Sequence, residues 1–274
     1  MKTIRIITVL LFILALAGYA GVVYRYEYAL DRTPPQIRCP EEPLEISAAA
    51  GETAMLAGVA ASDDRDGDLT DQVMIQGVSR LLTADTARIT YVVFDSAGNM
   101  ASCTRTVRYT DYERPIISLT SAPVFKPYPD GDSLKELDAL LTAADVRDGD
   151  ISDQIRITAQ NVTDTQVGAY RVNAQIINSM GDSETIPLTI VIDREGAEDP
   201  LVKLRQYITY VRSGSPFDPA AYISEVQGRP YSSEDPSLTI VSDVDTSAPG
   251  YYQVCYRCQT SERIYTVYMT VVVR

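Results

Sequence analysis

The sequence contains no histidine and no tryptophan. Without histidine there is no Ser/His/Asp or Cys/His triad and no histidine-containing zinc site, which removes much of known hydrolase chemistry. Basic charge is also scarce: 24 Lys plus Arg face 37 Asp plus Glu, a formal charge of -13. That balance argues against binding nucleic acid or an anionic membrane surface through net charge. The four cysteines, Cys39, Cys103, Cys255 and Cys258, are too few for a disulfide scaffold but suffice for one or two bridges in an oxidising compartment. Beyond the N-terminal segment, helical periodicity is lacking. No nucleophile, base and orienting residue assemble from any motif, so an enzyme is not expected.

What is present is a repeat. Asp63 to Val73, DDRDGDLTDQV, returns 82 residues later as DVRDGDISDQI, Asp145 to Ile155, with seven of eleven positions identical. Two homologous domains of roughly 80 residues follow from that period, and the length left over makes a third.

Ahead of the repeats, Ile6 to Val23 is an uncharged run of 18 residues preceded by Lys2 and Arg5, close to the roughly 20 residues a bilayer-spanning helix needs. The two cations fit the positive-inside rule and leave the C-terminal part outside the cytoplasm. Tyr24, Tyr26 and Tyr28 suit the outer interface. A cleaved signal peptide is the competing reading, since Ala15-Leu16-Ala17 and Gly18-Tyr19-Ala20 offer small residues at cleavage spacing. Export is expected either way.

Asp31 to Pro35, DRTPP, breaks the chain and opens the first domain. Short alternating segments rich in Val, Ile, Thr and Tyr then predict an all-β fold. One strand recurs in each domain: Ala87, Ile89, Tyr91 and Val93; Tyr170, Val172, Ala174 and Ile176; Tyr252, Val254, Tyr256 and Cys258. With period two each set shares a face, while Arg88, Thr90, Arg171, Asn173, Gln253 and Arg257 take the other. Turns at Asp95 to Asn99 and Asn178 to Asp182 follow, with glycine available for positive φ. Last strands are expected over 103–109, 185–192 and 264–273. The domain plan is 1–31 for a cytoplasmic tip, anchor and juxtamembrane segment, then 32–111, 112–195 and 196–274.

The order TPP-x-I, DGDLTD loop, Tyr/Val strand, D-S-A-G-N turn and closing strand resembles the bacterial immunoglobulin-like domain named after a pesticidal crystal protein. Ile37-Arg-Cys-Pro40 and Asn99-Met-Ala-Ser-Cys103-Thr make the first domain similar to the hyalin repeat as well. The resemblance covers about 34–192 and reaches the third domain only through its tyrosine strand and Ser215-Pro-Phe-Asp-Pro219. It implies tandem immunoglobulin-like β-sandwiches, found in secreted and surface-attached proteins as spacers and binding modules, and names a fold rather than an activity.

Cys39 and Cys103 lie near the start and end of one domain, on first and last strands that neighbour one another in a sandwich. A disulfide is the expected pairing in an exported protein, the resemblance to hyalin repeats points the same way, and free buried cysteines are the alternative. Cys255-Tyr-Arg-Cys258 has redox spacing, but it sits in an extended strand that holds the α-carbons roughly 10 Å apart with side chains on opposite faces. Cys258 is expected in the core and Cys255 outside it, and neither is catalytic.

The repeated loop offers Asp63, Asp66, Asp68 and Asp71, then Asp145, Asp148, Asp150 and Asp153, as oxygen ligands for calcium. The EF-hand register fails, because with Gly67 sixth the ends fall on Ser62 and Val73, and in the copy on Ala144 and Ile155. Tight-turn chemistry is the competing reading: carboxylates accept backbone N–H bonds while glycine supplies a left-handed position. It also explains how Asp64 becomes Val146. Calcium is the only cofactor under consideration. The expected role is a non-catalytic, membrane-anchored cell-surface protein for adhesion, ligand presentation or spacing, with another surface protein or cell-wall polysaccharide as partner. A calcium-binding adhesin and a carbohydrate-binding module are the alternatives; most of the 18 tyrosines read as strand residues.

Overall fold

A computed structural model describes residues 2–26, 30–127, 132–159, 162–194, 200–233 and 235–274. Tyr28 and the junction at 195/196 fall outside the described residues. The chain opens with an apolar helix, Lys2–Tyr24. Its stretch from Ile4 to Tyr24, 21 residues, is about 31 Å long at 1.5 Å per residue, which matches the roughly 30 Å of a bilayer's hydrocarbon core. The rest falls into β-sandwiches within two compact units, 1–110 and 111–274.

The first unit holds one sandwich. Its larger sheet runs Leu44–Ile46, Met100–Tyr109, Thr86–Phe94, Met74–Val78, and its smaller sheet Gln36–Arg38, Ala60–Asp63, Gly67–Asp68. Alternation drives the packing: Ala87, Ile89, Tyr91 and Val93 are wholly buried, whereas Arg88 is exposed. Each large side chain so removed from water stabilises by about 1.5–3 kcal/mol. The Tyr91 hydroxyl donates to the Met55 carbonyl at 2.6 Å, so the ring is buried without stranding its polar end. Cys39 and Cys103 form a disulfide with their α-carbons 6.2 Å apart.

The second unit repeats this plan twice. Arg156–Ala159, Gly168–Ile177, Ser183–Ile192 and Val124–Phe125 make one larger sheet; Leu238–Ser242, Gly250–Gln259, Ile264–Val273 and Ile208–Val211 make the other. In all three sandwiches the first, short strand of the larger sheet pairs in parallel with the last strand. The third follows this topology although its sequence lacks the acidic signature. Its hairpin turns on Gln227 and Gly228, both at positive φ, where the other two use Gly67 and Gly149.

Two short helices depart from the strand-only expectation. Glu52–Met55 is a single turn. Ser133–Leu140 is a full helix whose N-cap Asp132 accepts a hydrogen bond from the Lys135 N–H at 3.0 Å. Leu134 and Leu137 carry the helical spacing there, Leu137 is wholly buried, and Leu141 already opens the next strand. In the second sandwich Ala174 stands where the first has Tyr91, and Ala174 and Leu137 lie in the same core. A longer helix accompanies the smaller strand residue.

Within the second unit one apolar cluster runs through both sandwiches. Between them Glu184, only 2 % exposed, lies 3.5 Å from Arg274 and 3.9 Å from Arg114, and it accepts the Tyr251 hydroxyl at 2.7 Å. Tyr210 closes the same seam, exchanging hydrogen bonds with the backbone of Ile117 at 2.8 and 3.0 Å.

Candidate functional site

The repeated acidic loop is a hairpin pinned by its own carboxylates. At the end of its strand Asp63 accepts the Arg65 and Asp66 N–H groups at 2.9 and 3.0 Å, and Gly67 turns the chain with φ of 79°, a conformation natural only to glycine. Asp68 accepts the Thr70 N–H at 2.9 Å, leading into the 3-10 turn Thr70–Gln72. The Thr70 hydroxyl and N–H hold Asp68 below the usual carboxylate range. Asp66 reaches across to the Asp95 to Asn99 turn, accepting the Ser96 N–H at 2.7 Å and its hydroxyl at 2.9 Å.

The copy repeats each bond. Asp145 accepts from Arg147 and Asp148 at 2.9 and 3.0 Å, Asp150 from Ser152 at 3.0 Å, and Asp148 from the Ser179 N–H and hydroxyl at 2.7 and 2.6 Å. Ser152 holds Asp150 low as Thr70 holds Asp68. Asp71 and Asp153 lie exposed on the 3-10 turns. The second oxygens of Asp63 and Asp145 are left over from these loop bonds, and the two sandwiches treat that oxygen differently.

In the first sandwich Asp63 converges with Asp31 and Asp95, their ligand atoms all within 4.8 Å of one another. Asp63 Oδ2 is shut off from solvent with no hydrogen-bond partner among the described residues. Asp95 is 6 % exposed. Its burial opposes ionisation, but hydrogen bonds from Asn99, Ala97 and Gly98 outweigh that and keep its carboxyl below the usual range. The Asn99 amide is spent on Asp95 Oδ2 at 2.7 Å and on the carbonyls of Asp31 and Thr33 at 3.3 and 3.4 Å. Asp31 accepts the Thr33 N–H at 3.0 Å, and Arg65 Nε lies 3.5 Å from its other oxygen.

In the second sandwich the position of Asp95 is Asn178, and the position of Asn99 is Asp182. The amide of Asn178 donates to Asp145 Oδ2 at 3.0 Å and to the Tyr112 hydroxyl at 2.9 Å. Tyr112 in turn donates to Asp182 at 3.0 Å. Burial, together with this bond to a carboxylate, raises the Tyr112 pKa above that of a free phenol. Every oxygen in this cluster that the first sandwich leaves open is here given a proton to accept. The third sandwich places Val226, 2 % exposed, at the strand end corresponding to Asp63 and Asp145, and Thr260 after its core strand.

Asp31 and Asp95 were visible in the sequence only as a breaker and a turn. Their signal is positional: one precedes the first strand and the other directly follows the core strand, and antiparallel pairing of Gln36–Arg38 with Ala60–Asp63 brings their ends together. Cys258 is buried in the third core and Cys255 half-buried, both as free thiols. Among the described residues beyond the N-terminal helical segment, Tyr251 is the exposed tyrosine, and it is bonded to Glu184.

Residues 42–108 match the family described as bacterial surface protein, Ig-like domain. Over those residues the first sandwich is similar to bacterial surface immunoglobulin-like domains, in line with the resemblance read from the motif order. No curated protein matches the chain. Among solved structures, a carbohydrate-binding module and INT domain structure from Clostridium perfringens ZmpB, in complex with GlcNAc, is 18 % identical over 56 % of this chain and 26 % of that one, with a TM-score of 0.24. The lipoprotein BT2262 of Bacteroides thetaiotaomicron is 11 % identical over 86 % of this chain and 98 % of its own, at 0.21. A protocadherin gammaB7 EC3-6 structure is 12 % identical over 88 % and 74 %, at 0.20. The chain spans about a quarter of the ZmpB chain it matches. At such scores these likenesses carry no functional argument.

Proposed function

We propose that this protein is a non-catalytic, membrane-anchored cell-surface protein whose three immunoglobulin-like domains, 32–111, 112–195 and 196–274, serve adhesion, ligand presentation or spacing. The observation that carries this reading is one sandwich topology used three times downstream of a single apolar helix of bilayer-spanning length. Repetition of a binding-neutral scaffold builds reach from a tether, whereas an enzyme needs a constellation built once. The surface immunoglobulin-like family of the first domain supports the same placement. Lys2 and Arg5 on the near side of the helix orient the sandwiches outward.

The test is protease shaving of intact cells that carry the protein with a C-terminal epitope. The epitope should be lost from intact cells while the protein stays in the membrane fraction after alkaline extraction. An epitope protected until lysis would sink the outward orientation, and release into the medium would sink the anchor in favour of signal cleavage.

A further inference from the structure

The acidic cluster of the first sandwich has a feature that turn chemistry does not account for. Asp66 and Asp68 are consumed by hydrogen bonds to Ser96 and Thr70, yet Asp63 Oδ2 is buried with no donor among the described residues, and two further carboxylates, Asp31 and Asp95, converge with Asp63. An anionic oxygen kept from water without a partner is costly. Its counterpart in the second sandwich, Asp145 Oδ2, has the Asn178 amide at 3.0 Å. An exchange of acid and amide between two positions, Asp95 and Asn99 in the first sandwich against Asn178 and Asp182 in the second, together with the Tyr112 hydroxyl, separates a satisfied cluster from an open one.

We propose that Asp31, Asp63 and Asp95 form a binding site for a single divalent cation, calcium by its chemistry, present in the first sandwich and replaced in the second by a hydrogen-bond network of Tyr112, Asn178, Asp145 and Asp182. Three carboxylates with no nitrogen or sulfur donor suit a hard cation. Their ligand atoms all lie within 4.8 Å of one another, close enough to share one ion. Water completes the six to eight oxygens that calcium takes. Arg65, 3.5 Å from Asp31, offsets part of the charge but is one guanidinium against three carboxylates. The ligands come from three separate segments: Asp31 from the approach to the first strand, Asp63 from the repeated loop, Asp95 from the turn after the core strand. A bound ion fastens the approach segment to the body of the domain, so the site acts where the tether enters the first sandwich. This goes beyond the surface role proposed above and does not depend on it.

The experiment is calcium titration of the full chain in detergent micelles, by calorimetry and thermal melting, with magnesium as the control ion. The wild type should bind one calcium per chain, with Kd in the range of about 0.1–1 mM typical of extracellular modules, and its first unfolding step should rise by several degrees. Asp95→Asn supplies the amide the second sandwich already uses, so it should fold, melt no lower than wild type without calcium, and lose at least tenfold in calcium affinity. Asp66→Asn with Asp148→Asn should leave the stoichiometry at one. Two calcium ions per chain abolished by that pair would return the site to the repeated loops and overturn the proposal. No binding by wild type at 10-fold above that Kd range, or binding untouched by Asp95→Asn, would overturn it as well.

Discussion

The first and second sandwiches share strand order, register and a seven-residue core of identical loop positions, yet they stabilise the same corner of the fold by different means. The first brings three carboxylates together, and a disulfide ties the same sandwich. The second has no disulfide and closes the corner with Tyr112, Asn178, Asp145 and Asp182 in a chain of hydrogen bonds. The third has discarded polarity there, with Val226 buried in place of the aspartate. Along the chain the corner passes from a cluster of carboxylates, through a mixed network of carboxylates, amide and phenol, to a buried valine, while the strand topology stays the same. The scaffold is therefore set by the alternating strands and by glycine or its substitute in the hairpin, and the corner is free to take on separate duties.

The comparison can be broken most strongly at the disulfide. Replacing Cys39 and Cys103 by serine removes a crosslink of sequence separation 64, worth about 4 kcal/mol on the chain-entropy account. Chemical denaturation should show the first unit unfolding much earlier and the second unit unmoved; a common shift of both would contradict their independence. Next in size is Asn178→Asp, which gives the second corner the acid of the first. Asp145 Oδ2 then loses its donor, at a cost of about 1–3 kcal/mol. Measured by urea melts, an unchanged second transition would mean that the amide contributes nothing.

Alkali separates the units in another way. Burial and the neighbouring Glu184 carboxylate push Tyr251 up to about 12, and burial does the same for Tyr210. A phenol whose folded pKa lies above its unfolded value contributes stability below the unfolded pKa and loses it as pH rises through the folded one. The second unit should thus weaken between pH about 10 and 12, before the first, because burial raises more of its phenols, Tyr112, Tyr207, Tyr256 and Tyr265 among them, while the raised phenols of the first include Tyr91. Circular dichroism against pH checks the order, and simultaneous loss would refute it. The smallest effect is expected from Asp71→Asn with Asp153→Asn, both on exposed 3-10 turns: stability within about 0.5 kcal/mol of wild type and no change in the response to calcium.

The strands were legible because alternation and burial report the same thing. Tyr91, Val172 and Tyr256 could each be assigned to an inward face from spacing alone. The helix Ser133–Leu140 was missed because eight residues give barely two turns of period, and its leucines sit among strand-length segments. Asp63 was legible as part of a repeat. Its partners Asp31 and Asp95 were not, since they lie 32 residues to either side of it in the sequence and meet only through sheet register. What distinguishes Asp63 from Asp66 or Asp68 is an oxygen with no donor among the described residues, and a row of aspartates does not reveal which oxygen that is.

The Cys39–Cys103 bond has a mechanical meaning. For a protein tethered at one end and loaded at the other, tension entering the first sandwich reaches Cys39 before it reaches the ladder of Leu44–Ile46, and it crosses directly to Cys103. The residues between them cannot be drawn out, so under oxidising conditions this domain can lengthen only through its short ends. The other two sandwiches carry the load across parallel ladders of two pairs, at Val124–Phe125, and four pairs, at Ile208–Val211, which tension shears as a group. Pulled as a single molecule, the chain should yield its extension from the second and third sandwiches and release that of the first only after reductant is added.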